Sequence, residues 1–254
     1  MNYFLKNYYE ACKVMFSQYG FKKKNKAFVR VINDVMQNFA IEKLGSGRIR
    51  LEFAIIPLSL RIEKNYILGG VYSYNLRRFE PARWTHWDEW VYNSKSDESM
   101  EACINEILRY LTSYLIPLFE NACSCKTALP KLIKLEKHFN QNRIAGLKAD
   151  GIEDGALEGA GLNLLDSSKY FMALKSGDYE YALKSRKALL EQNIESYKSM
   201  KDNSNMTKEI LHERYEAIQE LQEEIRHLEE DDRDYFNAMI VENETYSREV
   251  LKGL

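Results

Sequence analysis

The sequence predicts an α+β protein: an N-terminal antiparallel sheet of about four or five strands with flanking helices, followed by an all-helical C-terminal part. Three observations carry that prediction. Apolar residues recur every three or four positions over residues 3–19, every second position from 27 to 56, and helically again from 97 onward. Turn residues (Gly20, Asn33-Asp34, Gly45-Ser46-Gly47) fall at the joints. Charge is also split. Residues 1–64 hold twelve Lys/Arg against five Asp/Glu, a net of +7, and 208–254 hold six against fourteen, a net of −8. The 254 residues divide accordingly into a basic α+β domain, 1–126, and an acidic helical domain, 127–254.

In the first helix Phe4, Tyr8, Cys12, Met15, Phe16 and Tyr19 share one face, and Gly20 stops it because glycine enters the left-handed conformation without a steric penalty. Ala27–Ile32 and Val35–Leu44 then flank Asn33-Asp34, a pair suited to a tight hairpin. Arg48–Ile56 alternates, with Ile49, Leu51, Phe53 and Ile55 on one face and charges on the other, the pattern of a half-exposed strand. Tyr66–Tyr74 and Trp84–Tyr92 read as further strands of a meander.

From Asp97 the stripe Met100, Cys103, Ile104, Ile107, Leu111 and Leu115 marks a helix that Pro117 should kink or end. A helix over Pro130–Phe139 follows. Five glycines then make a loop, at most a broken helix, of about 145–161. Leu164–Leu174 and Asp178–Met200 read as a helical pair joined at Ser176-Gly177. Its stretch Lys169–Lys184 is similar to one tetratricopeptide helix–turn–helix, without a second copy. Thr207 opens a last charged helix with a weak point at Glu229–Asp234.

The opening residues Met1–Glu10 show no cationic segment followed by an apolar one, and the longest nearly apolar run, Phe53–Leu60, contains Pro57. No secretory leader and no membrane partner are therefore expected, and the four cysteines read as reduced thiols in a cytoplasm.

Chemistry is sparsely signalled. The sharpest metal-like pattern is a doubled Glu-x-x-His, Glu209/His212 and Glu224/His227, which puts a carboxylate and an imidazole on one helix face. The copies stand fifteen residues apart on one helix, about 22 Å at 1.5 Å per residue, so they do not share one metal pair. Cys123-Ser-Cys125 lacks a second ligand pair. Neither a nucleophile elbow nor a phosphate-cradling Gly-x-x-x-x-Gly-Lys is present. No catalytic residue and no cofactor are assigned.

Binding is better signalled. All three tryptophans lie in Arg83-Trp84-Thr85-His86-Trp87-Asp88-Glu89-Trp90, and tryptophan and arginine dominate interface hot spots. Arg83, Trp84, His86, Trp87 and Trp90, with the cationic run Lys22-Lys23-Lys24, are the candidate partner-binding residues. A nucleic acid on Lys22–Arg30 is weighed against by the overall pI near 6.2. In the last helix the stripe Ile210, Ile218, Leu221, Ile225 and Leu228 needs a cover, either the preceding helical pair or a second copy in a homodimer.

Residues 4–125 also resemble a known family. The resemblance rests on Phe16-Ser-Gln-Tyr-Gly-Phe-Lys-Lys-Lys24, Val35-Met-Gln-Asn-Phe39, Trp84-Thr-His-Trp-Asp-Glu-Trp90 and Tyr114-Leu-Ile-Pro-Leu-Phe119. It is to the bacterial domain of unknown function 4304. That resemblance implies an α+β fold and a bacterial source, and it carries no activity. The expected function is that of a non-enzymatic cytoplasmic protein-binding module of the immunity or inhibitor kind. A metal-dependent hydrolase with a dispersed site and a nucleic-acid binder through Lys22–Arg30 are the alternatives.

Overall fold

The computed structural model describes residues 3–45, 47–63, 74–81, 88–153, 167–201 and 206–252. Helix α1 (Tyr3–Ser17) ends at Gly20, whose φ is +78°. Strands β1 (Lys22–Lys24), β2 (Ala27–Ile32), β3 (Val35–Gly45) and β4 (Arg48–Pro57) form an antiparallel meander. Ile32 pairs with Val35 across Asn33-Asp34, with Asn33 at φ +51°, as the sequence predicts for that hairpin.

The second edge of β4 is shared rather than extended. Strand β5 (Tyr74–Asn75) pairs with Glu52 and Phe53, and β6 (Trp90–Val91) pairs with Arg48 and Ile49. Among the described residues, the expected fourth and fifth meander strands are thus two short pieces on one neighbour; residues 66–73 and 84–87 lie outside the described residues. The β3–β4 turn receives the Tyr92 N–H on the Gly47 carbonyl at 2.8 Å. A Cβ at Gly47 would stand 2.0 Å from the Tyr92 carbonyl oxygen, so glycine is needed there for this approach.

One face of the sheet is aromatic. Phe28, Phe39, Phe53 and Tyr74 stand in register across four strands, with Phe28 and Phe39 stacked at 5.0 Å and Phe53 and Tyr74 at 5.6 Å. Each such pair adds about 0.5–1.5 kcal/mol beyond area burial. Helix α1 lays Tyr9 and Phe16 on this row, with Phe16 4.4 Å from Phe39. Helix α2 (Asp97–Tyr110) covers the rest.

Pro117 does not end that helix. The ladder widens to a π-turn over Leu111–Leu115, where the Ile116 N–H reaches the Leu111 carbonyl, and α3 (Ile116–Asn121) carries Pro117 in its first turn.

The half-exposed strand expected at Arg48–Ile56 is corrected. Ala54 and Ile56 on the second face are 2% and 1% exposed, because Phe171 and Leu251 from the helical half pack against them. The glycine-loop expectation is corrected in part. Helix α4 (Cys125–Ala149) runs through both Pro130 and Gly146, while 154–161 falls outside the described residues. One helical glycine costs roughly 1 kcal/mol. Burial of Leu129, Leu132, Leu135 and Phe139 outweighs that penalty.

Helices α5 (Ser167–Ser176) and α6 (Tyr179–Lys201) meet at Gly177, φ +77°. Helices α7 (Lys208–Glu229) and α8 (Arg233–Leu251) are separated by a break with Asp231 at φ +53°, inside the predicted weak point. Thr207 caps α7 by accepting the Ile210 N–H. The larger apolar cluster runs from Phe4 of α1 to Phe236 and Ile240 of α8, and a second one on the other sheet face joins β2–β4 to Leu251 of α8. Residue 126 lies in the first turn of α4, with helix on both sides of it, and among the described residues the larger apolar cluster continues across it. Among the described residues no helix is long and apolar enough to cross a membrane.

Candidate functional site

Of the tryptophan segment, Arg83, Trp84, His86 and Trp87 lie outside the described residues. Trp90 is core: it is 3% exposed, edge-on to Tyr110 at 5.4 Å, with the Arg77 guanidinium 5.5 Å over its ring. Either side of residues 82–87, the chain is tied down by a polar lattice that sequence reasoning missed. Glu80 accepts from Arg109 at 2.5 and 3.0 Å, from Tyr110 at 2.8 Å and from Tyr114 at 2.7 Å. These hydrogen bonds, Arg109's first, hold its carboxyl at about 2. Arg78 donates to both oxygens of Asp88 at 2.9 and 3.2 Å, and Asn75 donates to the Asp88 carbonyl at 2.8 Å. Arg77 reaches Glu106 at 3.1 Å, and Asn142 donates to the Arg78 carbonyl at 2.9 Å. The spacing of Arg109, Tyr110 and Tyr114 on one helix was the available signal; nothing in the sequence named Glu80 as their partner.

The lysine run splits by strand alternation. Lys23, opposite Phe28, stands 4.4 Å over the Tyr9 ring. Lys22 and Lys24, opposite Val29 and Ala27, share the other face and line a cleft of about 220 Å³ with Gly20, Val29, Arg30, Val31 and Leu251. Arg30 is not a surface cation. It is 8% exposed, donates to Gln37 at 2.6 Å and to the Tyr19 carbonyl at 2.8 Å, and forms an ion pair with Glu120 at 2.7 Å. The basic patch is therefore smaller than the sequence suggests.

The doubled Glu-x-x-His residues are not brought together. Helix α7 is unbroken, so the two pairs stay apart along it. Glu209 sits in its first turn, held below the usual carboxylate range by backbone and Thr207 hydrogen bonds. His212 is exposed beside Glu216 at 3.3 Å. Glu224 pairs with Arg186 at 2.6 Å. His227 faces Asp232 at 2.8 Å and Glu223 at 3.3 Å, and stacks on Tyr235 at 3.9 Å. Among the described residues no three His, Cys, Asp or Glu side chains lie close enough to hold a metal ion. Cys12, Cys103 and Cys125 are buried thiols, with burial pushing Cys12 and Cys103 up to about 12.

The α6–α7 hairpin carries a partly open apolar seam. At its base Ala182, Arg186, Ile218, Leu221, Ile225 and Leu228 are buried. Farther out, Leu190, Ile194 and Tyr197 of α6 are only half-buried, and Tyr215 of α7 is 46% exposed. Spacings of four and three put Leu190, Ile194 and Tyr197 on one face of α6, and the Tyr197–Tyr215 ring contact at 6.2 Å joins that row to α7. Glu209, Glu213, Glu216, Glu220 and Glu223 are exposed along α7. Helix α7 carries seven acids against three bases, and α6 five bases against three acids. The sequence-predicted stripe is thus covered by α6 at its base and left open toward its tip.

No family model matches the chain, and neither does any curated protein or solved structure.

Proposed function

We propose that the chain is a non-enzymatic protein-binding module of the immunity or inhibitor kind, acting in a bacterial cytoplasm, and that the α6–α7 hairpin docks a basic protein. The bacterial setting belongs to the resemblance of residues 4–125 to domain of unknown function 4304. The observation that carries the docking surface is the half-open apolar seam of Leu190, Ile194, Tyr197 and Tyr215 beside a row of exposed glutamates. An apolar centre with a charged rim is the anatomy of a protein interface, and tyrosine is among its preferred anchors. The acidic helix steers a basic partner into register, which raises the association rate at low salt.

A second reading uses the same surface. Because α6 and α7 carry opposite net charge, two copies of the hairpin can pair α6 against α7 and bury both seams in a homodimer.

A photo-cross-linker at Tyr215 in the source cytoplasm, followed by binding of the purified captured protein, tests the proposal. The expected result is a distinct basic protein whose association slows with salt and is lost in Ile194→Asp. Binding unaffected by Ile194→Asp and by Tyr215→Asp overturns it. A self-cross-link, with a purified chain that sediments as a dimer, selects the homodimer instead.

A further inference from the structure

The backbone directions around the lysine cleft follow from two hairpin registers. Ile32 and Val35 pair directly across a two-residue turn, so Ile32, Arg30 and Phe28 aim their N–H and C=O groups at β3. Lys24 and Ala27 pair in the same way across Asn25-Lys26, with Asn25 at φ +52°. Ala27 and Val29 therefore aim theirs at β1. Alternation puts Val31 in this second set, but β1 begins at Lys22, opposite Val29. The position facing Val31 is Gly20, which at φ +78° has left the strand. The Val31 N–H and C=O thus point past the end of β1 into the cleft that Val31 itself lines.

The rest of the cleft has a consistent chemistry. Val29 and Val31 share its sheet face, Val31 is 42% exposed, and Leu251 from the end of α8 walls the far side. Lys22 is exposed at the rim, with Lys24 two residues on along the same face. Arg30 contributes no free charge, because Glu120, Gln37 and the Tyr19 carbonyl take its guanidinium. Together these make a backbone donor and acceptor at an open strand edge, apolar side walls and a cationic rim.

We propose that this cleft binds a short extended acidic peptide segment of a partner protein by strand addition to β2 at Val31. The segment's backbone exchanges hydrogen bonds with Val31 in the place that Gly20 leaves vacant. A small apolar side chain enters between Val29, Val31 and Leu251, and a carboxylate side chain meets Lys22. Main-chain pairing supplies affinity in such complexes and alternate side chains supply specificity. Lysines at a sheet edge otherwise serve to discourage indiscriminate pairing, so only a segment that neutralises them gains the edge. The site is separate from the α6–α7 hairpin and does not depend on the reading given to it.

The full-length chain is titrated into fluorescein-labelled Val-Glu-Val-Glu-Val-Glu and, separately, Val-Lys-Val-Lys-Val-Lys, with fluorescence anisotropy as readout. The acidic peptide is expected to bind at least roughly tenfold tighter, the effect of one well-formed charged contact. Val31→Pro removes the amide donor at an edge position where proline is tolerated, so it should fold and lose the acidic peptide. Lys22→Glu, an exposed replacement, should weaken the acidic peptide and strengthen the basic one. The Val31 amide should exchange with solvent more slowly in the complex. Equal affinity for the two peptides, unchanged binding in folded Val31→Pro, or no binding of either peptide overturns the proposal. So does displacement of the peptide by single-stranded oligothymidylate with a steep salt dependence, which assigns the cleft to a phosphate backbone.

Discussion

The Ser247 hydroxyl donates to the Leu58 carbonyl at 2.8 Å and also accepts the Ile62 N–H at 2.8 Å, closing the short turn that follows β4 with a side chain from the last helix. One turn earlier on α8, Asn243 donates to the Ser59 carbonyl at 2.9 Å. All these groups are buried. The helical half therefore satisfies backbone groups that the N-terminal half leaves unpaired, which is why one core spans both.

Replacing Ser247 by alanine leaves the buried Ile62 N–H without its acceptor. The expected loss is about 1–3 kcal/mol in urea unfolding, larger than for Thr245→Ala on the exposed side of the same helix. Both halves should unfold in one transition. Two separate transitions, or a Ser247→Ala variant as stable as wild type, contradict the shared core.

Arg186 fixes the root of the α6–α7 hairpin. It is 7% exposed, lies 3.4 Å over the Tyr170 ring and pairs with Glu224 at 2.6 Å. Arg186→Met strands the Glu224 carboxylate and should cost up to about 3 kcal/mol, at the low end for a buried pair because Glu224 keeps 23% exposure. Adding Glu224→Leu should recover most of it. A double variant no better than the single one means that the pair is not coupled.

Glu80 links stability to pH. Its folded value near 2 lies below the usual carboxylate value, so its contribution is present above the ordinary carboxylate range and is lost as the pH falls through about 2. Arg109→Gln removes the first contributor. The Glu80 carboxyl should then titrate higher by NMR, and acid unfolding should begin at a higher pH. An unchanged acid midpoint would show that the lattice does not act through Glu80.

Thiol labelling reads the core directly. Cys12, Cys103 and Cys125 are buried and pushed up by burial, so they should resist a disulfide reagent at mild alkaline pH until the chain unfolds. Half-buried Cys123 should react first. Fast labelling of all four in the native protein would contradict the packing of α1 and α2 on the sheet.

Local elements were legible because their causes are local. The period of α1, the Gly20 stop, the Asn33-Asp34 hairpin, the Gly177 joint and the Thr207 cap each depend on neighbours within a few residues. Single residues misled where they compete with burial. Gly146 and Pro130 weaken a helix locally, yet α4 passes through both because its apolar face has a core to enter. The candidate partner-binding residues separate in the structure. Lys22 and Lys24 line the cleft, whereas Lys23 and Trp90 are held by aromatic neighbours.

By itself the sequence determined the α+β class, the helix α1, the β2–β4 meander and the helical C-terminal part, and the charge difference between the two ends, since periodicity and composition are properties of short windows. Tertiary structure decided that the central stretches of β3 and β4 are buried on both faces, that β5 and β6 share one edge of β4, that Glu80 meets Arg109, and that β1 stops short of Val31. Each of these depends on which distant segments meet: Ser247 and Leu58 are 189 residues apart, and no local pattern encodes such a pairing.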